Sequence, residues 1–166
     1  MRHLLVMGIS GTGKTTVSKR LSERLSRPMI EADDHHSAKA VARMSEGTPL
    51  TDDDRWGWLD RIGTAATGAD APTVIACSAL KEAYRTRLRD RLGPIDIVYL
   101  HGDRGLIASR MSGRADHFMP TSLIDSQLAD LEPPRGPDVL PLDVADPVER
   151  LVEAAERFAT RSREGR

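Results

Sequence analysis

Cysteine occurs once in this 166-residue chain, as Cys77. One thiol closes no internal disulfide, and no cysteine pair or Cys/His cluster offers a zinc site. A reducing, cytoplasmic setting is therefore expected. Aromatic residues are few, with two Trp, two Tyr and two Phe, which argues against a stacking platform for single-stranded nucleic acid. An excess of one charge is missing too: 24 Lys and Arg against 25 Asp and Glu leave a net charge of −1. That balance gives no bulk pull towards nucleic acid or a membrane surface, and neither is expected as a partner. Lysine is scarce, with only Lys14, Lys19, Lys39 and Lys81 among the 24 cations, a compositional habit that implies no special use of arginine. Long apolar runs are absent near the N-terminus, where Leu4-Leu5-Val6-Met7 falls far short of a signal-peptide core or a membrane span.

What remains is an ordinary globular composition, 39% hydrophobic and 30% charged, enough to exclude disorder over most of the length. The length fits one domain, 1–166, able to bury roughly two thirds of its unfolded surface. No repeat divides it. Short apolar runs alternate with helical stripes. Strands are expected at His3–Met7, Pro28–Ala32, Thr73–Cys77 and Ile95–Leu100, with a weaker fifth at Val139–Val144, interrupted by Pro141. Between them, Val17/Leu21/Leu25, Ala38–Ser45, Trp58/Ile62/Ala66, Tyr84/Leu88/Leu92, Ile107/Met111 and Ile124/Leu128 recur at helical spacing. Asp146, Pro147 and Glu149 open a last helix as cap, first residue and capping-box acid. Strands apolar on both faces, alternating with helices, predict an α/β three-layer sandwich around a parallel sheet of about five strands. Ligands on such a fold sit beyond the carboxyl ends of the strands.

The first strand runs into Gly8-Ile9-Ser10-Gly11-Thr12-Gly13-Lys14-Thr15, followed by Thr16. This is the G-x-x-x-x-G-K-[ST] phosphate loop, in its required place between a strand and a helix. Its glycines let backbone N–H groups converge on a polyphosphate at the positive end of the helix. Lys14 reaches the outer phosphates and the Thr15 hydroxyl is the candidate Mg²⁺ ligand. The third strand ends Ala76-Cys77-Ser78-Ala79-Leu80-Lys81 without an acid at its tip, and the chain has no Asn-Lys-x-Asp guanine reader. A small-molecule kinase is favoured over an ATPase or a GTPase.

After the second strand, Asp33 is the candidate to orient or deprotonate an acceptor hydroxyl, ahead of Glu31 and Asp34, which also suit a solvated acidic turn. His36 is a candidate hydrogen-bond donor to a polyol, whereas His35 reads as exposed. Asp52, Asp53 and Asp54 suit the first turn of a helix, and Arg55 behind them suits a substrate carboxylate. The competing reading pairs Arg55 with Asp52 or Asp54. Arg110 and Arg114, four apart, share a helix face and could close on phosphates from a mobile lid over about 110–122.

The chain resembles the gluconokinases, small P-loop sugar-acid kinases related in fold to shikimate and nucleoside-monophosphate kinases. The resemblance rests on residues 7–16, on Glu46-Gly-Thr-Pro-Leu-Thr-Asp-Asp-Asp-Arg55 with Trp58-Leu59, and on Ala76-Cys-Ser-Ala-Leu-Lys81 with Tyr84-Arg85. It continues through Val98-Tyr-Leu-His-Gly102, His117-Phe-Met-Pro120, Ser126-Gln127 and Leu131-Glu132. It implies transfer of the ATP γ-phosphate to the terminal hydroxyl of D-gluconate, with Mg²⁺. By position it assigns Asp33 to the acceptor hydroxyl and Arg55 to the carboxylate. It puts Lys81 and Arg85 in the sugar-acid pocket with His36, His117 and Gln127, gives Arg110 to the nucleotide, and has Arg114 act from the lid. A homodimer stays open. The family pattern is altered at Ala32, Ser37, Ala40 and Asp116, which keeps a related sugar acid, shikimate, or a nucleotide sensor without turnover as alternatives.

Overall fold

The computed structural model describes residues 1–48, 50–112 and 123–161. Five parallel strands form one sheet: β1 (Leu4–Met7), β2 (Met29–Glu31), β3 (Val74–Ala76), β4 (Asp96–His101) and β5 (Val139–Asp143), in the order β2-β3-β1-β4-β5. The helices are α1 (Lys14–Leu25), α2 (Ala38–Ser45), α3 (Asp52–Thr67), α4 (Glu82–Leu92), α5 (Arg104–Ser112), α6 (Leu123–Asp130) and α7 (Val148–Arg161). A short 3-10 turn, Ala32–His35, follows β2.

The four residues of β1 show why the fold has three layers. All are buried, yet they alternate. Leu4 and Val6 join a core with Val17 and Leu21 of α1 and Leu151 and Phe158 of α7. Leu5 and Met7 join a second core with Leu59 and Ile62 of α3 and Leu88 of α4. Successive side chains leave opposite faces of a strand, so an unbroken apolar run requires cover on both sides. A small third cluster of Ala40 and Met44 with Leu50 packs α2 against the chain just ahead of α3.

Pro141 does not break β5, because β5 is an edge strand. Ile97 donates to the Asp138 carbonyl and Val144 to the His101 carbonyl, so even-numbered residues face β4. The missing N–H of Pro141 therefore points away from the sheet. The expected strand and helix positions agree with the structure to within a residue or two at most ends. The 3-10 turn is the exception. It places His35 and His36 ahead of α2, whose N-cap is Ser37 accepting from Ala40 N–H at 3.1 Å. Among the described residues, no helix is long and apolar enough to cross a membrane.

Candidate active site

The phosphate loop takes its shape from local constraints. Gly8 has φ +155°, and a Cβ there would lie 2.5 Å from the Leu100 carbonyl oxygen, so the loop leaves β1 pressed against β4. Gly13 has φ +88° and stands at the N-cap of α1 with no side chain capping the helix. The first N–H groups of α1 are thereby left to a ligand. The Thr12 hydroxyl donates to Ile9 O at 2.8 Å and Lys14 Nζ to the same carbonyl at 3.0 Å, folding the loop back on itself.

Lys14 is half-buried in the cavity wall, and desolvation there pulls its pKa below the ordinary amine value; the carboxylates of Asp33 and Glu31 and the Cys77 side chain act in the opposite sense. Thr15 Oγ1 donates to Glu31 Oε2 at 2.6 Å. Burial pushes the Glu31 carboxyl above its usual range, against the Thr15 bond, which lowers it. Cys77 lines the same cavity, but burial raises its thiol to about 12. It is not a nucleophile at neutral pH.

A cavity of about 300 Å³ runs over these groups and is lined by Lys14, Thr15, Asp33, His36, Arg55 and Gln127 among others. Phosphate loop and acceptor candidates thus share one space. A smaller one, of about 180 Å³, lies behind the loop against Gly11, Gly13, Thr16, Arg110 and Val148. Arg110 lines this second cavity, not the one that holds Lys14 and Asp33.

At the acceptor end, His36 stacks on Trp58 with ring centroids 4.3 Å apart. Trp58 Nε1 donates to Ala32 O at 2.7 Å, so α3 fixes the 3-10 turn that carries Asp33. His36 Nε2 lies 3.7 Å from Asp33 Oδ1, and its side chain is only 4% exposed. Its Nδ1 is buried with no hydrogen-bond partner among the described residues. Arg55 Nη1 donates to the Tyr84 hydroxyl at 2.8 Å, and its nearest carboxylate is Asp130, at 3.7 Å. The pairing of Arg55 with its own helix is not what forms. Asp52 accepts from the Tyr84 hydroxyl and from Lys81, and Asp54 closes a capping box with Thr51 and binds Arg43.

Two expectations need correction. Arg85 does not line the cavity. It is 1% exposed, and its guanidinium donates to Ala79 O at 2.8 Å, Leu80 O at 3.1 Å and Glu132 O at 2.7 Å. Ala79 has φ +42°, an uncommon conformation for a residue with a Cβ. Arg85 braces that turn after β3. Lys81 also stands off the cavity lining, because its amine is drawn across to Asp52 at 3.1 Å. Gln127 does line the cavity, but its amide grips the phosphate loop, accepting from Ser10 N–H at 2.8 Å and donating to Ser10 Oγ at 3.1 Å. Arg114 and His117, with most of the 110–122 segment, lie outside the described residues.

Three further residues contribute. Glu31 stands behind Asp33 as a candidate in the sequence, although it sits at the tip of the strand that also delivers Asp33. Tyr84 stands in the sequence only as a stripe position and as part of the resemblance, and Asp130 belongs to no motif there. Among the described residues no group of three or more His, Cys, Asp or Glu could hold a metal unaided. The Thr15–Glu31 pair with Asp33 supplies hard oxygens only. That set fits Mg²⁺, which keeps most of its waters and takes phosphate oxygens.

A family model described as an AAA domain matches residues 4–134. The chain is 35% identical to the thermosensitive gluconokinase of Escherichia coli (strain K12), over 98% of this chain and 89% of that one. It is 46% identical to the gluconokinase of Gluconobacter oxydans (strain 621H), over 80% and 76% of the two chains. Among solved structures, a gluconokinase from Sinorhizobium meliloti 1021 superposes with a TM-score of 0.89 at 43% identity, covering 98% of this chain and 94% of that one.

Proposed function

This chain belongs to the gluconokinases, and from that premise we propose that it transfers the γ-phosphate of ATP to the terminal hydroxyl of D-gluconate, giving 6-phosphogluconate and ADP. The observation that supports this most directly is the single cavity lined at once by Lys14, Asp33 and Arg55. The N–H groups from Gly11 to Thr16 hold the phosphates, and Lys14 supplies positive charge where negative charge spreads in the transition state. Thr15, Glu31 and Asp33 would hold Mg²⁺, which neutralises phosphate charge when bound. Asp33 accepts the proton of the attacking hydroxyl. His36, whose Nδ1 has no hydrogen-bond partner among the described residues, hydrogen-bonds a sugar hydroxyl. Arg55 pairs with the carboxylate, its plane held by Tyr84. Arg114 is proposed to add charge from the segment after α5.

A coupled ADP-release assay over sugar acids, shikimate and nucleoside monophosphates tests the assignment. Turnover is expected with gluconate above the rest. Tight ATP binding with turnover of none of them would overturn it in favour of a sensor.

A further inference from the structure

The acceptor end holds a charged side chain that phosphate transfer leaves unused. Asp130 is the last residue of α6 and lines the cavity. A carboxylate there faces the negative end of its own helix, the less favourable end for an acid. Its Oδ2 lies 3.7 Å from Arg55 Nη1, too far for a hydrogen bond, and that Nη1 already donates to Tyr84. The side chain is 32% exposed, against 14% for Arg55, so it opens into the cavity rather than into the core. Three residues earlier, Gln127 is bonded to the phosphate loop through Ser10. One helix face therefore fastens to the nucleotide end with one residue and offers a carboxylate to the acceptor end with another.

Resting on the proposed function, we propose that Asp130 accepts a hydrogen bond from the hydroxyl on the carbon next to the substrate carboxylate, so that Arg55 and Asp130 together select 2-hydroxy acids. A carboxylate docked on Arg55 comes close to Asp130, and two negative groups then flank one guanidinium. The adjacent hydroxyl places a proton between them and meets an acceptor that takes no hydrogen bond among the described residues. An acid lacking it leaves Asp130 beside a like charge with only its 3.7 Å contact to Arg55, which the substrate carboxylate now shares. This kind of site rejects the missing hydroxyl more strongly than an apolar pocket rejects a missing methylene.

The test compares kcat/KM for D-gluconate and 2-deoxy-D-gluconate in wild type, Asp130→Ala and Asp130→Asn. Wild type is expected to favour gluconate at least tenfold. Asp130→Ala should lose several-fold on gluconate and gain several-fold on the deoxy acid, which no longer meets an unsatisfied like charge, and the two changes together close the gap. Asp130→Asn, which keeps an acceptor oxygen, should fall between and guards against a folding defect in the alanine variant. An equal gain on both acids would show that Asp130 only competes for Arg55, and an equal loss that it only supports the site. Either overturns the inference while leaving the kinase assignment standing. Failure of wild type to phosphorylate either acid overturns the assignment and this inference with it.

Discussion

A guanidinium and an ammonium carry the same charge, but only the first meets a carboxylate with two parallel hydrogen bonds. Arg55→Lys should therefore raise KM for gluconate at least tenfold, the loss of a charge-assisted bond costing about 1.5–3 kcal/mol. It should leave the ATP KM and any slow turnover of glucose nearly unchanged. Steady-state kinetics on both sugars decide, and an equal change for the two would show that Arg55 does not read the acid. Glu31 makes a pH prediction. Burial raises its carboxyl, so as pH falls it takes up a proton earlier than an ordinary glutamate and can no longer accept from Thr15 as a carboxylate. kcat/KM for Mg·ATP reports the free enzyme. Its acid limb should thus lie above the ordinary glutamate range, and Glu31→Gln should remove that limb. A profile of unchanged shape would place Glu31 outside the metal site. Lys14, Asp33 and Arg55 were legible in the sequence because each sits in a motif or just past a strand. Asp130 was not, since its meaning depends on Arg55, 75 positions away in the chain.

At the scale of elements, local rules carried far. Apolar periodicity and punctuation by Pro28, Gly47, Gly68 and Gly93 placed the helices, and Thr51 with Asp54 caps α3 at both ends of a reciprocal pair. What the pattern could not reveal was the use of a side chain buried by tertiary packing. The resemblance to gluconokinases implies a place for Arg85 beside Lys81 in the sugar-acid pocket. Instead Arg85 satisfies three backbone carbonyls around the strained Ala79 turn. Arg85→Ala would take the donor from the Ala79 and Glu132 carbonyls, while Leu80 O keeps the Glu132 N–H, at about 1–3 kcal/mol for each of the two. At about 2–4 °C per kcal/mol for a chain of this size, the melting temperature should drop by roughly 4–24 °C. A thermal melt checks this. An unchanged melt with a selective loss of gluconate turnover would return Arg85 to the substrate pocket.

The whole molecule is a scaffold that tolerates charge where packing would prefer none. Lys14 and Glu31 are both shifted by burial against their charged forms, so the ligand-free site weakens the fold it depends on. For Lys14 the sign follows from proton counting. Below its folded pKa the amine is charged in both states, and the burial penalty is present in full. As pH rises towards the ordinary value of 10.5, the unfolded chain binds more protons than the folded one. Stability therefore increases over that window, and the penalty is gone once both states are neutral. Lys14→Met removes the charge at every pH. It leaves Ile9 O still bonded by Thr12, so no buried acceptor is orphaned. The ligand-free variant should thus melt higher than wild type at neutral pH. With Mg·ATP at a hundred times its Kd, wild type should gain about 2.7 kcal/mol, or about 5–11 °C at this chain length. The variant should gain little and turn over less than a tenth as fast, since one preorganised contact of this kind supplies about 3–4 kcal/mol in the transition state. Melting curves with and without Mg·ATP give all four values. A ligand-free variant that melts lower than wild type yet keeps the full ATP shift would show that Lys14 is held for packing and not for phosphate.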